Sequence, residues 1–499
     1  MPSRPVLALF VLVALLTLYR VGVILHLGID PYVDEAYYWG WAQHPDFGYY
    51  SKPPLVAWLI AASTAAFGQN LIALKLPSLL LYPATALMLQ NLGSKLFSPQ
   101  VGWWTGVAFI TLPLVSALGL FISTDALLLF FWTAGLAALW RALEDGRWSS
   151  WLLVGLWAGL GLMSKYTMAA FIGSAFLVIL SHPQGRRQLL GPRPWIAVAL
   201  AVLILTPNLW WNSQHDFPTF RHTAEITRLN HRHWNPGELG EFLGAQVLSM
   251  GALLALAFLV AVATLPRRLG DPRYRALALM TLPLLVLVCY QAATGRANGN
   301  WAAPIFIGGL LLTVAHLADK RHWRFLAIAV ALNGILMVGA YHWPDLAQVA
   351  GKELTGRNDP YKRARGWQAF AEAVAPALRN TPGAVLVADD RDILAQLAYA
   401  LDIKDLASWN PSHTVMDHYQ LTTRLEDYPD RPFVYVSRQP LDSRVLGSFA
   451  QATSLGEVNV AVHRDFHRRA YLYRLEGFKG YPSQPAPTDL APGKDDGGT

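Results

Sequence analysis

The sequence is poor in cysteine and in charge, and both shortages narrow the class of protein. Cys289 is the single cysteine among 499 residues, so no intrachain disulfide can form and any exposed domain must fold without one. Only 15% of the residues are charged, whereas an ordinary soluble protein carries about a quarter. Hydrophobic residues make up 53% of the chain. They recur in apolar runs of about 20 residues, the length that crosses a bilayer, and so predict a membrane protein with many spans.

Sequence motifs for nucleotide binding and for zinc binding are also missing. No P-loop, dinucleotide-binding fingerprint or zinc-ligand spacing occurs, so ATP-driven work has no support. The formal net charge of +7 is modest. Its basic clusters alternate with uncharged loops, which fits membrane topology better than nucleic-acid binding. We therefore expect a lipid bilayer and no nucleic acid among the partners.

Eleven apolar segments are predicted to be membrane spans. Basic clusters such as Arg186-Arg187 and Arg267-Arg268 occur at every second connection, so the positive-inside rule places the N-terminus in the cytoplasm and everything after residue 342 outside. The first segment is longer than the roughly 7–15 apolar residues of a signal peptide and lacks a small-x-small cleavage site, so we interpret it as a retained span. The spans are 6–27, 71–92, 101–121, 125–143, 149–163, 167–181, 195–212, 242–265, 276–293, 300–318 and 323–342.

A shorter apolar segment at residues 53–67 does not fit this topology as a span. Counting it as one would invert every later loop and put the basic clusters outside. We predict instead a helix in the outer membrane interface, anchored by Trp58. Residues 28–70 would then form a structured outer layer, and the second outer segment, 213–241, would lie against it.

The composition changes to that of a soluble domain after residue 343. Residues 384–388 and 432–436 are typical of short buried strands, and 392–401 of a helix between them, which indicates a small α/β domain. The tail is rich in Pro, Gly and Asp and is predicted to be disordered. The predicted fold is a polytopic α-helical membrane domain at 1–343, an extracytoplasmic α/β domain at 344–480 and a disordered tail at 481–499.

Charged side chains at the predicted outer face are the main candidates for chemistry. Asp34 and Glu35 follow the first span directly and lie among aromatic residues, a density that suits stacking on sugars or anchoring in head groups. Cations also occur on this side, where the orientation rule predicts few. Four of them facing a carboxylate pair predict a site for an anionic head group such as phosphate. These cations are Lys52, Lys165, Arg221 and Arg296.

Each candidate also has a purely structural interpretation. Asp34 and Glu35 could be solvated loop acids, and Lys52 could contact lipid head groups. Asp125, in a short outer turn, could belong to a helix N-cap. The His231-x-His233 pair resembles metal ligands, but without a nearby acid the signal is weak, and His222 beside Arg221 is better placed.

Five motifs, taken in order over about residues 5–345, resemble those of bacterial integral-membrane glycosyltransferases. This group contains the protein O-mannosyltransferases and the lipid A aminoarabinose transferase (glycosyltransferase family 39-like), which have the GT-C fold. Each motif alone is weak, but the five with matching topology are fairly specific. They are Val33-Asp34-Glu35-Ala36-Tyr37-Tyr38, Tyr49-Tyr50-Ser51-Lys52-Pro53-Pro54-Leu55, Ser123-Thr124-Asp125-Ala126, Ser164-Lys165-Tyr166 and Asn298-Gly299-Asn300-Trp301-Ala302-Ala303-Pro304.

The resemblance implies inverting transfer of a single sugar from a polyprenyl-phosphate carrier to an acceptor hydroxyl. The acceptor would be an envelope glycolipid, such as lipid A or lipopolysaccharide, or a protein, at the outer (periplasmic) face of the bacterial inner membrane. Asp34 matches the family's catalytic acid and would act as general base, with its pKa raised by desolvation. Glu35 would orient the site, and Lys52, Lys165 and Arg296 would bind the departing phosphate. Expected substrate-binding residues are Tyr37, Tyr38, Tyr50, Asp125, Arg221, His222 and Asn300.

The same resemblance leaves metal binding in doubt. Relatives often carry an acidic residue before the lysine, sometimes tied to a metal, and this chain has Ser51 there. No cofactor is required, because a phosphate monoester is already an acceptable leaving group, and a divalent metal is a doubtful addition.

Two alternatives from other classes stay open on the sequence. A transporter or flippase of lipid-linked sugars would share the spans and the outer cations, but would more often show broken helices or inverted repeats with charges near the midplane. A catalytically silent scaffold would use the outer domain to bind partners, and the intact Asp34-Glu35 pair argues against it.

Overall fold

The computed structural model describes residues 4–228 and 232–481. The chain divides into two compact units, Met1–Leu354 and Thr355–Thr499. The first unit therefore extends beyond the sequence-based boundary at 343, because a short helix at Trp343–Val349 belongs to it. The tail from 482 onwards lies outside the described residues.

The described residues of the first unit form helices and the connections between them. Several helices begin where a side chain accepts a hydrogen bond from the first turn and a proline follows, as at Ser98-Pro99, where Ser98 Oγ accepts from Val101 N at 3.3 Å. Short 3₁₀ helices lie at Tyr166–Met168, Leu265–Arg268 and Gly299–Ala302. The α-helices are α1 Arg4–Leu27, α2 Val33–Gln43, α3 Leu55–Phe67, α4 Leu71–Leu96, α5 Pro99–Ile110, α6 Pro113–Leu118, α7 Thr124–Asp145, α8 Trp148–Leu162, α9 Ala169–Ser181, α10 Pro183–Leu189, α11 Arg193–Gln214, α12 Pro218–Ile226, α13 Pro236–Met250, α14 Ala252–Thr264, α15 Pro272–Leu279, α16 Leu282–Thr294, α17 Ile305–Asp319, α18 Trp323–Tyr341 and α19 Trp343–Val349.

Among the described residues, six helices are long and apolar enough to cross a membrane when α15 and α16 are taken together as Pro272–Thr294, or up to eight if each of two bent helix pairs is one span. The bends are sharp, 109° between Tyr166–Ser181 and Pro183–Leu189 and 108° between Pro236–Met250 and Ala252–Arg268. Each of the eleven predicted segments overlaps a helix, which confirms a polytopic α-helical fold. The count of eleven spans stays a prediction.

Close approach of helices is made possible by small residues. A Cβ added at Gly102 of α5 would lie 2.2 Å from the carbonyl oxygen of Gln90 in α4. A Cβ at Gly155 of α8 would lie 2.4 Å from the carbonyl oxygen of Ala197 in α11. Backbones this close pack by van der Waals contact, which is the main source of helix association in a bilayer.

The segment 53–67 forms a helix, α3, as predicted. Leu55 N at its start donates to Met163 O at 3.0 Å, and Trp58 Nε1 donates to Asp46 O at 2.9 Å. Helix α3 is 13 residues long and so is shorter than the roughly 20 residues of a span. Its predicted place in the outer interface stays a prediction.

The second unit has helices around a mixed sheet of order β2-β1-β3-β5-β4. Strand β1 pairs in parallel with β2 and β3, whereas β5 pairs antiparallel with β3 and β4. The two predicted strands are β1 and β3 and the predicted helix is α21, which confirms the α/β assignment; the β4–β5 hairpin was not predicted. Short 3₁₀ helices lie at Lys362–Ala364 and Leu425–Asp427. The elements are α20 Trp367–Arg379, β1 Val385–Ala388, α21 Arg391–Leu401, β2 Leu406–Ser408, α22 His418–Thr422, β3 Phe433–Ser437, α23 Ser443–Ser448, β4 Phe449–His463 and β5 Phe466–Phe478.

Candidate active site

The segment after α2 folds back onto that helix through aromatic packing. The rings of Trp41 and Tyr49 are stacked, with centroids 4.7 Å apart and planes 3° apart. Tyr49 OH donates to Trp41 O at 3.1 Å and accepts from Asp46 N at 3.0 Å. Burial raises the pKa of Tyr49, so the phenol keeps its proton and its hydrogen bond. The loop before Lys52 is therefore a fixed part of the fold.

Glu35 is held from three directions at the start of α2. Its side chain is 1% exposed and forms an ion pair with Lys75, which is fully buried in α4. Oε1 of Glu35 accepts from Ile122 N at 2.7 Å, and Oε2 accepts from Tyr32 N at 2.8 Å. Glu35 thus ties α2, α4 and the turn before α7 together.

Asp34, its neighbour in sequence, is partly exposed. Successive residues of an α-helix point about 100° apart, so Asp34 does not share the direction of the Glu35 side chain. The two carboxylates predicted as a catalytic pair therefore have different environments.

A second ion pair joins three of the predicted motifs. Lys165 Nζ donates to Asp125 Oδ1 at 2.7 Å, and Asn300 Nδ2 donates to Asp125 Oδ2 at 2.8 Å. Asp125 is 2% exposed. Ser123 is the N-cap of α7 and Asp125 lies in its first turn, but the Asp125 carboxylate binds these two distant side chains. Asp125 fixes the position of Lys165.

Lys52 and Lys165 line the same cavity of about 390 Å³. Ser51, between Tyr50 and Lys52 in the second motif, also lines it. The two lysines come from different loops, which are joined where Leu55 N donates to Met163 O at 3.0 Å. Much of the remaining wall is apolar. The other lining residues are Pro53, Tyr166, Thr167, Ala169, Ala170, Thr223, Ile226, Thr227, Leu284, Leu287, Val288, Gln291 and Trp301.

The second outer segment packs against the first, as predicted. Thr219 Oγ1 donates to Tyr49 O at 2.9 Å, and the rings of Tyr50 and His222 lie 5.1 Å apart. Trp211 Nε1, near the end of α11, donates to Asp46 Oδ2 at 2.6 Å.

Gly48 is required at this junction. A Cβ there would lie 2.3 Å from the Trp211 ring, so the loop reaches α11 only because residue 48 has no side chain.

Comparison with known proteins decides the family. A family model described as dolichyl-phosphate-mannose-protein mannosyltransferase matches residues 51–211. The lipid A galacturonosyltransferase of Rhizobium johnstonii is 34% identical over 398 residues, which cover 77% of this chain and 80% of that protein. The chain belongs to the GT-C glycosyltransferases. It is therefore an enzyme, and the transporter alternative is not favoured.

Other relatives of this glycosyltransferase are consistent with that assignment. The undecaprenyl phosphate-alpha-4-amino-4-deoxy-L-arabinose arabinosyl transferase of Pseudomonas paraeruginosa is 28% identical over 311 residues, 58% of this chain and 54% of that protein. The crystal structure of ArnT from Cupriavidus metallidurans matches with a TM-score of 0.63 at 16% identity and covers 94% of this chain and 97% of that one. At this identity the match shows a shared fold. The glycosyltransferase is thus a membrane protein with several spans and a small C-terminal α/β domain.

Three tyrosines expected to meet the sugar are instead buried in this glycosyltransferase. Tyr37 and Tyr38 are 1% and 6% exposed, and their rings pack on Trp41 at 4.7 and 4.9 Å. Tyr50 is 4% exposed, against His222. In the described structure these rings form the core of the outer layer, which differs from the expected sugar-stacking role.

The two arginines of the predicted phosphate site do not line the cavity of Lys52 and Lys165. Arg296 is exposed and lines a second cavity of about 370 Å³, together with Arg228, Glu238 and Glu241. Among the described residues, this cavity and the one at Lys52 have no lining residue in common. Arg221 is exposed on α12 and lines neither of them.

The structure describes one histidine of the predicted His-x-His pair. His233 N donates to Thr294 O at 3.1 Å, which ties its backbone to the end of α16. His231 lies outside the described residues, so metal binding by the pair stays a prediction.

Lys75 is the buried partner of Glu35 that sequence reasoning missed. It lies within the predicted span 71–92, although a cation within a span is expensive unless it is paired. The unfavourable burial of a lysine within a span could have indicated a buried acidic partner, which in the structure is Glu35.

Proposed function

We propose that this glycosyltransferase moves one galacturonosyl group from a polyprenyl-phosphate carrier to a hydroxyl of lipid A, with inversion at the anomeric carbon. The sugar and the acceptor are taken from the Rhizobium johnstonii relative, whose match spans most of both chains. The carrier is suggested by the ArnT structure bound to undecaprenyl phosphate. The observation that carries the proposal is the cavity that Lys52 and Lys165 share.

Two lysines in a mostly apolar cavity suit the donor, which has an anionic phosphate on a long hydrocarbon. Leu284, Leu287 and Val288 offer apolar surface for the first isoprene units. When the C1–O bond of the donor breaks, the phosphate gains a further negative charge. Lys52 and Lys165 would stabilise that charge from fixed positions, since Asp125 already holds Lys165 in place.

Asp34 is the general base of the proposed reaction. The acceptor oxygen attacks C1 of the sugar, its proton passes to the Asp34 carboxylate, and the bond to the carrier phosphate breaks. Glu35 positions Asp34 through its hydrogen bond from Ile122 N, three residues before Asp125 in the sequence. Three residues span at most about 11 Å, so this contact ties the start of α2 to the segment that carries Asp125, the partner of Lys165.

The site is proposed to face the periplasm. Basic residues gather in alternate connections, which the positive-inside rule assigns to the cytoplasm, and the motif-bearing loops are the others. A metal is not needed in this proposal, because phosphate is already an acceptable leaving group and two cations meet its charge. Ser51, rather than an acid, precedes Lys52.

Mass spectrometry of lipid A from cells that lack the protein tests the proposal. Wild type should restore a species heavier by one galacturonosyl group, and Asp34→Asn, expressed to the same level, should not. Glu225→Gln removes an exposed carboxylate on α12 and serves as the matched control, with full restoration expected. Restoration by Asp34→Asn would exclude the mechanism, and a different sugar mass would exclude galacturonic acid while retaining the transferase.

A donor titration with purified protein tests the phosphate site separately. Lys52→Ala should raise the KM for the polyprenyl-phosphate-linked sugar by roughly 10–100-fold, because a charge-assisted contact to phosphate is lost. An unchanged KM would remove Lys52 from the donor site.

A further inference from the structure

Two histidines and an aspartate from distant parts of the sequence meet at one end of α1 and α18. His26 lies in the last turn of α1, His342 follows α18, and Asp345 lies in the first turn of α19. His26 Nε2 is 3.0 Å from Asp345 Oδ2, and His342 Nδ1 is 2.9 Å from the same oxygen. One ligand atom from each residue lies within 4.8 Å of the other two.

The spacing of these atoms is close to that of a tetrahedral zinc site. Zinc binds imidazole nitrogen and carboxylate oxygen at about 2.0–2.2 Å, so two ligands of a tetrahedral ion are about 3.4 Å apart. The His–Asp distances fall only a few tenths of an ångström below this value. Small rotations of the side chains would therefore open room for the ion.

The ring of His342 has the outer hydrogen bond that metal-bound histidines usually make. Its Nε2 lies 2.9 Å from Tyr19 OH, and the two rings pack with centroids 6.0 Å apart. When Nε2–H donates to the tyrosine, Nδ1 has no proton and turns its lone pair towards the Asp345 carboxylate. Two acceptors facing each other at this distance favour a cation between them. Such an outer partner fixes the tautomer and the orientation of a ligating ring.

The ligand types select the class of ion. Two imidazoles and one carboxylate suit zinc and its first-row neighbours, whereas magnesium and calcium prefer sites made of oxygen alone. The side chains of His26, His342 and Asp345 are 56%, 34% and 43% exposed, so an ion can reach them.

We propose that His26, His342 and Asp345 bind one zinc-class divalent ion, with the fourth position open to water. The ion would join the first long helix of the membrane unit to the last one, over a sequence distance of more than 300 residues. None of the three residues lines the cavity of Lys52 and Lys165, so the proposed role is structural and independent of the transfer chemistry.

Metal analysis of the full-length protein without a histidine tag tests this site. After treatment with a chelator and reloading with zinc, wild type should retain about one equivalent per chain. His26→Gln and Asp345→Asn should each lower zinc affinity at least tenfold, and Tyr19→Phe should lower it roughly tenfold by removing the outer partner. His467→Asn alters a histidine of the C-terminal unit, hydrogen-bonded to Asn459, and should leave affinity unchanged.

Cobalt absorption and thermal unfolding separate a metal site from a hydrogen-bonded His–Asp–His network. In such a network Tyr19 OH donates to Nε2 and Nδ1–H donates to Asp345, and no ion is needed. The metal site requires a visible cobalt(II) spectrum that Asp345→Asn abolishes, and a zinc-dependent rise in Tm that His26→Gln lacks. Asp345→Asn should retain sugar transfer, because Asp345 does not line the cavity of Lys52 and Lys165. The outcome for the metal site is therefore independent of the outcome for the proposed function.

Three results would overturn the proposal. These are a folded wild type that binds no zinc, a zinc content equal in wild type and Asp345→Asn, and a Tm that zinc does not change.

Discussion

Two buried lysine–carboxylate pairs in the membrane unit differ in whether the lysine borders a cavity. Glu35 and Lys75 are 1% and 0% exposed and are enclosed among α2, α4 and the turn before α7. The side chain of Asp125 is nearly as buried, with 3% of its surface exposed. The side chain of Lys165 is 12% exposed and borders the cavity that Lys165 shares with Lys52. Neither residue of the enclosed pair lines that cavity, and the Glu35 carboxylate contacts only protein groups among the described residues. A pair with one side on a cavity can also present its charge to a substrate.

The comparison also separates the adjacent acids Asp34 and Glu35. The Glu35 carboxylate is buried and accepts hydrogen bonds from Tyr32 N, Lys75 Nζ and Ile122 N. Asp34 is the more accessible acid of the two and is the one that could receive a proton from an acceptor.

The largest effect is expected from breaking the enclosed pair. Lys75→Met leaves the Glu35 carboxylate buried without its cation, and removal of one partner of a buried pair costs about 3–5 kcal/mol. We expect little folded protein in the membrane fraction and a Tm well below that of wild type in detergent.

A double variant is the control for this expectation. Lys75→Met with Glu35→Gln removes both charges and should recover part of the lost Tm, because the amide oxygen still accepts one of the two backbone hydrogen bonds, from Ile122 N or from Tyr32 N, while the NH2 group faces the other donor. A single Lys75→Met variant as stable as wild type would show that the pair contributes nothing.

For the Asp125–Lys165 pair, we expect a smaller loss of stability than for Glu35–Lys75 but a large loss of turnover. Lys165→Met should lower kcat/KM for sugar transfer roughly 10²–10³-fold, because a fixed cation facing the leaving group is lost. Its Tm should fall less than that of Lys75→Met, since Asn300 still donates to Asp125.

Lys352→Met, at an exposed lysine outside both pairs, should leave both quantities unchanged. If Lys165→Met loses stability as severely as Lys75→Met and the remaining folded enzyme is fully active, the two pairs do not differ in role.

The smallest effect is expected from the second partner of Asp125. Asn300→Ala removes one hydrogen bond, worth about 1 kcal/mol, and should lower kcat/KM about fivefold by loosening Lys165. Asn298→Ala, which alters the other cavity, is the matched control. A loss as large as that of Lys165→Met would mean that Asn300 itself contacts the substrate.

Much of the fold could be predicted from the sequence because membrane spans and buried strands have strong local patterns. The apolar segments overlap helices, and residues 384–388 and 432–436 overlap β1 and β3. The β4–β5 hairpin gave a weaker signal, since many residues of β4 are exposed without regular alternation. Charge at span ends singled out Lys52, Lys165 and Asp125; the two lysines line one cavity and Asp125 pairs with Lys165, while their role in a site stays a prediction.

Side-chain direction is what sequence position does not specify. Aromatic density at Tyr37 and Tyr38 is the same whether the rings face a sugar or pack on Trp41. Arg296 and Asn300 belong to one loop, yet Asn300 binds Asp125 and Arg296 lines another cavity. Only the backbone path of the loop, with its 3₁₀ turn at Gly299–Ala302, separates them.

The contact between Asp46 and Trp211 has a consequence for the order of events during synthesis. The two residues are 165 positions apart, and the loop that carries Lys52 rests on α11 through this hydrogen bond and through Gly48. At about 5–20 residues per second, the ribosome needs roughly 8–33 s to reach Trp211 after making Asp46. During that interval the nascent chain contains Asp34, Glu35 and Lys52, but it lacks the part of α11 against which their loop packs. The loop therefore cannot take its final position before the seventh predicted span is made, and the cavity is completed later still, by residues such as Leu284 and Trp301.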